Sequence, residues 1–229
     1  MIDVANALIL LANYIIVPSL AYGSQLALGA LGITLVYAVL NFSNFAHGEI
    51  MSFGTMISIL VIWVFQFLGI SIYPFPTALV ALPFSILATI FLLLVLDRTV
   101  FSYYQKQRVQ PVTLMIVSVG VVFFLAGFTR FIIGTSKKSF ADGERFIIKA
   151  SEFKQITGLA EGLSIRTTQV LTIVVTLILV AAIFWFLNNT RTGKSMRAFS
   201  DNEDLALLSG IKPERVILVT WMLVGALAA

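Results

Sequence analysis

The chain has no cysteine, and its 229 residues include a single histidine, His47. Without cysteine there can be no disulfide, thiolate metal centre or cysteine nucleophile. One histidine cannot build an all-histidine metal site. Charge is scarce as well: 11% of residues are Asp, Glu, Lys or Arg, where a soluble domain carries about 25%. With 59% hydrophobic residues, that scarcity argues against a soluble helical protein. A net charge of +4 does not mark a nucleic-acid binder, because the positive residues lie between apolar segments rather than along one basic face. No Walker-type glycine loop occurs, so any use of ATP falls to a partner. The start, Met-Ile-Asp, lacks the basic region of a secretory signal peptide.

What is present is a series of apolar runs long enough to cross a bilayer. Spans are predicted near 19–40, 50–68, 77–96, 111–133, 167–187 and 213–229. The fold class they imply is all-α, a polytopic membrane helix bundle in one domain over 1–229. Residues 4–17 reach only about 21 Å as helix. They read either as a short span or as an interfacial lead-in, with Pro18 at their end. The first full span is dense in small residues, Ala21, Gly23, Ser24, Ala27, Gly29, Ala30 and Gly32, which let helix backbones approach closely in lipid. Gln25 reads as an interhelical hydrogen bond. The apolar part of the last run, 216–229, also reaches only about 21 Å and stops at Ala229 without a polar flank. A helix ending inside a membrane leaves carbonyls unsatisfied, so an absent C-terminal portion is expected.

The run from Ser19 to Gly69 holds only two residues that could carry charge, His47 and Glu49. As one helix it would extend about 77 Å, far beyond a hydrocarbon core of roughly 30 Å. The chain must turn back within it. The polar residues Asn41, Ser43, Asn44, His47, Gly48 and Glu49 mark the place. Thr34, Tyr37, Asn41, Asn44, Gly48, Ser52 and Thr55 follow helical spacing, so they can form two polar faces meeting across a break. Irregular backbone at membrane depth is tolerated only against protein or water, and an ionisable residue there is a functional candidate. Equally, His47 and Glu49 could sit in a plain interfacial turn, or His47 could be a satisfied core histidine. Catalysis is not expected: residues two apart do not share a helix face, and no nucleophile or metal ligands surround them.

The remaining polar stretches are 97–110, 134–165 and 188–213. The second is unusually long for a compact bundle, and 146–148 with 153–156 suggests a short hairpin. Alternation of spans places 97–110 and 188–215 on one side, with eight Lys and Arg, against seven over 130–166. The positive-inside rule favours short loops, so the two shorter loops are assigned to the cytoplasm. Within the last of them, 201–209 has helical spacing. Asp201, Glu203 and Asp204 stand near its start, Leu205 and Leu208 on its apolar side, and Gly210 at its end. Anionic lipid would repel that acidic helix, so it reads as a protein-docking element.

These two stretches carry a family resemblance. Asn44-Phe-Ala-His-Gly-Glu49, preceded by Leu-Gly-Ile-Thr-Leu-Val-Tyr37, resembles the signature of permease subunits of branched-chain amino-acid ABC importers, the LivH type. Arg191-Thr-Gly-Lys-Ser-Met-Arg-Ala198, through Leu207-Leu-Ser-Gly-Ile211 to Gly225-Ala-Leu-Ala-Ala229, resembles that family's coupling segment and the following helix. The resemblance runs in order over nearly the whole chain, but members continue for further membrane helices. It implies a multi-pass protein of a bacterial or archaeal inner membrane. Its partners would be a second similar permease, two cytoplasmic ATPases that bind ATP and Mg, and a periplasmic substrate-binding protein. The chain itself would hold no cofactor or metal. Asn41, Asn44, His47, Gly48 and Glu49 would line the translocation pathway or brace the bend beside it. Arg197, Ala198, Asp201, Leu205, Leu208 and Gly210 would belong to the ATPase-coupling segment. Urea importers have similar permeases, so urea and short amides stay open as substrates. An ion-coupled secondary transporter is the competing class, motivated by broken membrane helices with buried ionisable groups. A non-transporting scaffold has no positive feature.

Overall fold

A computed structural model describes residues 2–69, 77–107, 109–136, 146–157, 159 and 161–229. Among these, five helices are long and apolar enough to cross a membrane: Asn6–Leu40, His47–Phe67, Ala78–Lys106, Pro111–Ile133 and Thr167–Asn189. The stretch 71–76, where Pro74 and Pro76 break any helix and predict a turn, lies outside the described residues.

Two of the five helices are longer than the sequence suggested. The first contains α1 (Ile2–Leu11), a π-helical turn (Ala12–Ile16) and α2 (Val17–Leu40) without interruption. Residues 4–17 are thus continuous with the helix that follows, and Pro18 does not end a helix. A proline ring normally collides with the carbonyl four residues back. The widened π turn immediately before Pro18 shifts that carbonyl aside. Likewise α4 (Ala78–Leu96) does not stop at a polar loop. It continues through a second π turn (Asp97–Phe101) into α5 (Ser102–Lys106). Charge does not break a helix by itself, and Thr99 satisfies its hydroxyl on Val95 O at 2.7 Å. Helices α3 (His47–Phe67) and α6 (Pro111–Ile133) follow the predicted runs closely. Pro111 stands at the first turn of α6, where a missing N–H does no harm.

The chain divides into two compact units. One draws its described residues from Met1–Ala27 and Phe140–Ala182. Here β1 (Phe146–Ile148) pairs antiparallel with β2 (Ile165–Arg166), not with 153–156. The intervening Ala150–Thr157 is helix α7, so the predicted hairpin is replaced by a strand, helix, strand excursion. Lys149 pairs with Glu152 at 3.4 Å across its first turn. Gly162 allows the return: a Cβ there would overlap the Ala150 carbonyl. Asn13, in the first π turn, donates to Gly162 O at 2.8 Å and accepts from Ser164 N at 2.9 Å. Gln25 is exposed rather than packed at a helix contact.

The other unit comprises Leu28–Ser71, Thr77–Ser139 and Ile183–Ala229. After α8 (Thr167–Asn189) it contains α9 (Arg191–Asp201), α10 (Glu203–Leu208) and α11 (Pro213–Ala228). Its core joins Val36, Phe42, Ile50, Leu93, Phe101, Leu125 and Trp221, all fully buried. Helices α3, α4 and α11 meet almost backbone to backbone. A Cβ on Gly54 would lie 2.8 Å from Ala229 Cα, and one on Gly225 would lie 2.9 Å from Ile90 Cα. The Ser85 hydroxyl donates to Gly54 O at 2.5 Å, tying α4 to α3 where the helices are closest. In lipid such contacts replace the hydrophobic drive between helices.

Candidate functional site

Helix α2 ends at Leu40 and α3 begins at His47, so the reversal occupies 41–46. Asn41 takes φ 54°, a left-handed conformation that asparagine tolerates better than other side-chain-bearing residues. Its N–H still bonds Tyr37 O at 3.0 Å, which closes the last turn of α2. Phe42 then dives into the core and meets Phe101 at 5.5 Å between ring centroids. Phe101 in turn stacks on Trp221 at 5.5 Å. Trp221 Nε1 donates to Asp97 Oδ1 at 2.7 Å. The reversal is thus anchored on the second π turn and on α11. Phe45 N donates to Ser118 Oγ at 3.1 Å, adding a tie to α6. Within the turn, Asn44 Oδ1 accepts from Ala46 N at 3.0 Å, and His47 N bonds Asn44 O at 3.3 Å.

Beyond the turn the two helices run antiparallel. Gly32 faces His47 and Gly29 faces Met51. This is where the small residues of α2 act; Gly23 has open space around it. His47 and Asn44 are buried, at 1% and 2% exposure. Neither ring nitrogen of His47 nor Asn44 Nδ2 meets a hydrogen-bond partner among the described residues. Glu49 is half-buried, and Asn41 and Gly48 are exposed. The sequence-derived polar stripe therefore splits. Asn44 goes inside, while Thr34, Tyr37, Asn41, Gly48, Ser52 and Thr55 remain on the outer surface. Thr34 and Thr55 bond their own helix carbonyls at 2.7 and 3.0 Å.

The second constellation is not one helix over 201–209. Asp201 is the last residue of α9, and Asn202 breaks the path with extended backbone. Helix α10 starts at Glu203, with the Asn202 side chain accepting from Leu205 N at 2.9 Å. Asparagine competes well for backbone donors, so it takes the cap one residue later than the acidic run suggested. The C-terminal end is as the sequence implies: Gly210 has φ +81°. Gly210 N reaches Leu207 O at 3.0 Å and Ile211 N reaches Ala206 O at 3.1 Å, the two bonds of a Schellman cap. Between these caps Ala206 is buried, whereas Leu205 and Leu208 stand out at 61% and 84% exposure. Arg197 is held on α9 by a 2.6 Å bond from Nη1 to Asn188 Oδ1; Ala198 and Asp201 are exposed. Gly193 lets α9 fold back on α8, because a Cβ there would overlap Phe186 O.

The two constellations, far apart in sequence, line one cavity of about 440 Å³. Leu40 and Asn41 form one wall, and Phe199, Glu203, Asp204 and Leu207 another. Sequence reading did not foresee this convergence. It also passed over Asp97 and Trp221, whose bond depends on the second π turn.

The family model described as "Branched-chain amino acid transport system / permease component" matches residues 15–229. The chain belongs to that family. Among curated proteins, it is 27% identical over 213 residues to the high-affinity branched-chain amino acid transport system permease protein LivH of Salmonella typhimurium, covering 90% of this chain and 65% of that protein. It is 26% identical over 215 residues to BraD of Pseudomonas aeruginosa, a permease of the same description, covering 93% and 67%. It is 26% identical over 212 residues to a probable LivH of Methanocaldococcus jannaschii, covering 92% and 62%. The chain thus spans about two thirds of the length of these relatives. No solved structure matches it. Family membership and the five long apolar helices make it a multi-pass membrane protein of all-α type.

Proposed function

We propose that this permease-family chain is a membrane subunit of an ATP-driven importer and forms part of the translocation pathway for branched-chain or other hydrophobic amino acids. The observation that carries the reading is α10, a short helix capped at both ends that holds Leu205 and Leu208 outward. A rigid, exposed apolar knob suits insertion into a groove of another protein. In this reading the groove belongs to a cytoplasmic ATPase, two of which bind ATP and Mg and perform all the hydrolysis. A second similar permease and a periplasmic binding protein complete the assembly.

The exposed polar residues of α2 and α3 support the pathway assignment. Thr34, Tyr37, Ser52 and Thr55 lie on membrane-length helices, yet they face outward from this chain. Thr34 and Thr55 satisfy their hydroxyls on their own helices, but the Tyr37 and Ser52 hydroxyls on this face suit a water-containing passage shared with the second permease better than lipid. Asn44 and His47 then brace the bend, whereas Asn41, Gly48 and Glu49 stand nearer the passage. That α10 and the reversal border one cavity, at Glu203 and Asn41, supports coupling of ATPase movements to the reversal.

The test is co-purification of the chain with its co-encoded ATPases. The ATPases should be retained by the wild type and lost from a Leu205→Glu/Leu208→Glu double variant. Full retention in that variant would contradict the coupling role of α10.

A further inference from the structure

A separate pocket of about 320 Å³ lies where α9 begins and α11 begins, lined by Arg191, Lys212 and Arg215 together with Thr192, Ser195 and Ser209. Among the described residues no carboxylate lines it. None of its three cations has an ion-pair partner among the described residues. The nearby acids Glu203 and Asp204 line the other cavity instead. Ser195 and Ser209 give their protons to Arg191 O and Leu205 O, both at 2.9 Å, so recognition falls on the cations. All three are exposed, so solvent screens their repulsion, and an anion entering the pocket would meet three positive groups at once. Guanidinium groups match phosphate oxygens through paired N–H donors.

The surface below the pocket says which kind of anion. Val216, buried at 2% exposure, forms its floor. Along α11, Arg215, Leu218 and Met222 fall on one face at spacings of three and four. Leu218 and Met222 are both exposed there, at 42% and 39%. A cation at the head of an exposed apolar stripe fits a charged headgroup with its acyl chain lying along the helix. A free phosphate would need no such stripe.

We propose that the pocket formed by Arg191, Lys212 and Arg215 binds the phosphate group of an anionic membrane lipid, which seats the first turns of α9 and α11 on the bilayer surface. Leu205 and Leu208, which carry the importer reading above, do not line this pocket.

The experiment is native mass spectrometry of the full chain in detergent, with phosphatidylglycerol or phosphatidylcholine added. The variant is Arg191→Gln/Lys212→Gln/Arg215→Gln, and the control, Lys149→Gln/Lys154→Gln/Arg166→Gln, removes the same charge elsewhere. Wild type and control should retain phosphatidylglycerol at least about tenfold better than the pocket variant, with phosphatidylcholine retention equal in all three. Equal phosphatidylglycerol retention in all three would overturn the proposal. Displacement of the lipid by millimolar inorganic phosphate would overturn a lipid as the occupant and assign the anion site to a soluble phosphate. Unchanged lipid retention combined with loss of a co-purifying protein would overturn it in favour of an acidic protein surface. Should the pocket variant fail to fold, photocrosslinking of a diazirine-bearing phosphatidylglycerol to the wild type reads the site directly. Label within 189–222 supports it, and label only elsewhere overturns it.

Discussion

The imidazole of His47 lies against Gly32 so closely that a Cβ there would overlap Cε1 and come within 2.6 Å of Nε2. The two residues are the contact at which α2 and α3 close upon each other beyond the reversal. Gly32→Ala should therefore overpack the hairpin and cost about 1–3 kcal/mol. Adding His47→Ala should recover much of that loss, because the smaller side chain vacates the space. A double-mutant cycle on thermal unfolding of the purified chain measures this coupling. Strictly additive effects would contradict the contact.

Trp221 should matter through its N–H as well as its ring. Trp221→Phe keeps a ring on Phe101 but leaves Asp97 without its 2.7 Å donor. The expected loss is about 1–3 kcal/mol. Asp97→Asn keeps an oxygen acceptor at the same place and should lose less. Thermal melts of the two variants decide the order, and a larger loss for Asp97→Asn would count against this bond as the principal tie.

Glycines on two helices should respond in opposite senses. Gly225→Ala forces a methyl to within 2.9 Å of Ile90 Cα, and backbone cannot move aside cheaply, so a loss of at least about 1–3 kcal/mol follows. Gly120, inside α6, has nothing within 4 Å of an added Cβ. Gly120→Ala should be neutral, or stabilise by up to about 1 kcal/mol through helix propensity. Melting temperatures of the two variants provide the comparison.

Leu205 and Leu208 should be dispensable for folding. Both are largely exposed, so replacing them with Glu should leave membrane expression and melting temperature close to wild type. Surface changes of this kind usually shift stability by less than about 0.5 kcal/mol. A large drop in either readout would mean that these side chains pack within the chain.

Much of the helix layout could be read from hydropathy, since length, apolar content and the one compulsory reversal leave few options. The position of the turn was also legible: the polar residues from Asn41 to Glu49 bracket 41–46. The π turns were not. Pro18 and Asp97 look like terminators to any rule based on residue type, and only the widened backbone around them keeps the helices going. The strand partner of 146–148 was missed because a close return at Gly162 depends on packing against Ala150, which no local pattern encodes. For the candidate site, the sequence placed the polar residues 41–49 at the reversal but could not sort buried from exposed members. Asn44 and Gly48 belong to one helical stripe in the sequence, yet one is enclosed and the other open, because the stripe bends at the turn. The cavity shared by Asn41 and Glu203 joins residues more than 150 positions apart, beyond the reach of any spacing argument.

The central claim, ATP-driven uptake of hydrophobic amino acids, is tested most directly by transport into vesicles carrying the full set of co-encoded subunits. The account predicts leucine uptake that requires ATP, is competed by isoleucine and valine but not by urea, and disappears with Leu205→Glu/Leu208→Glu. Uptake that follows an ion gradient without the ATPases, or that urea competes while leucine does not, would contradict it.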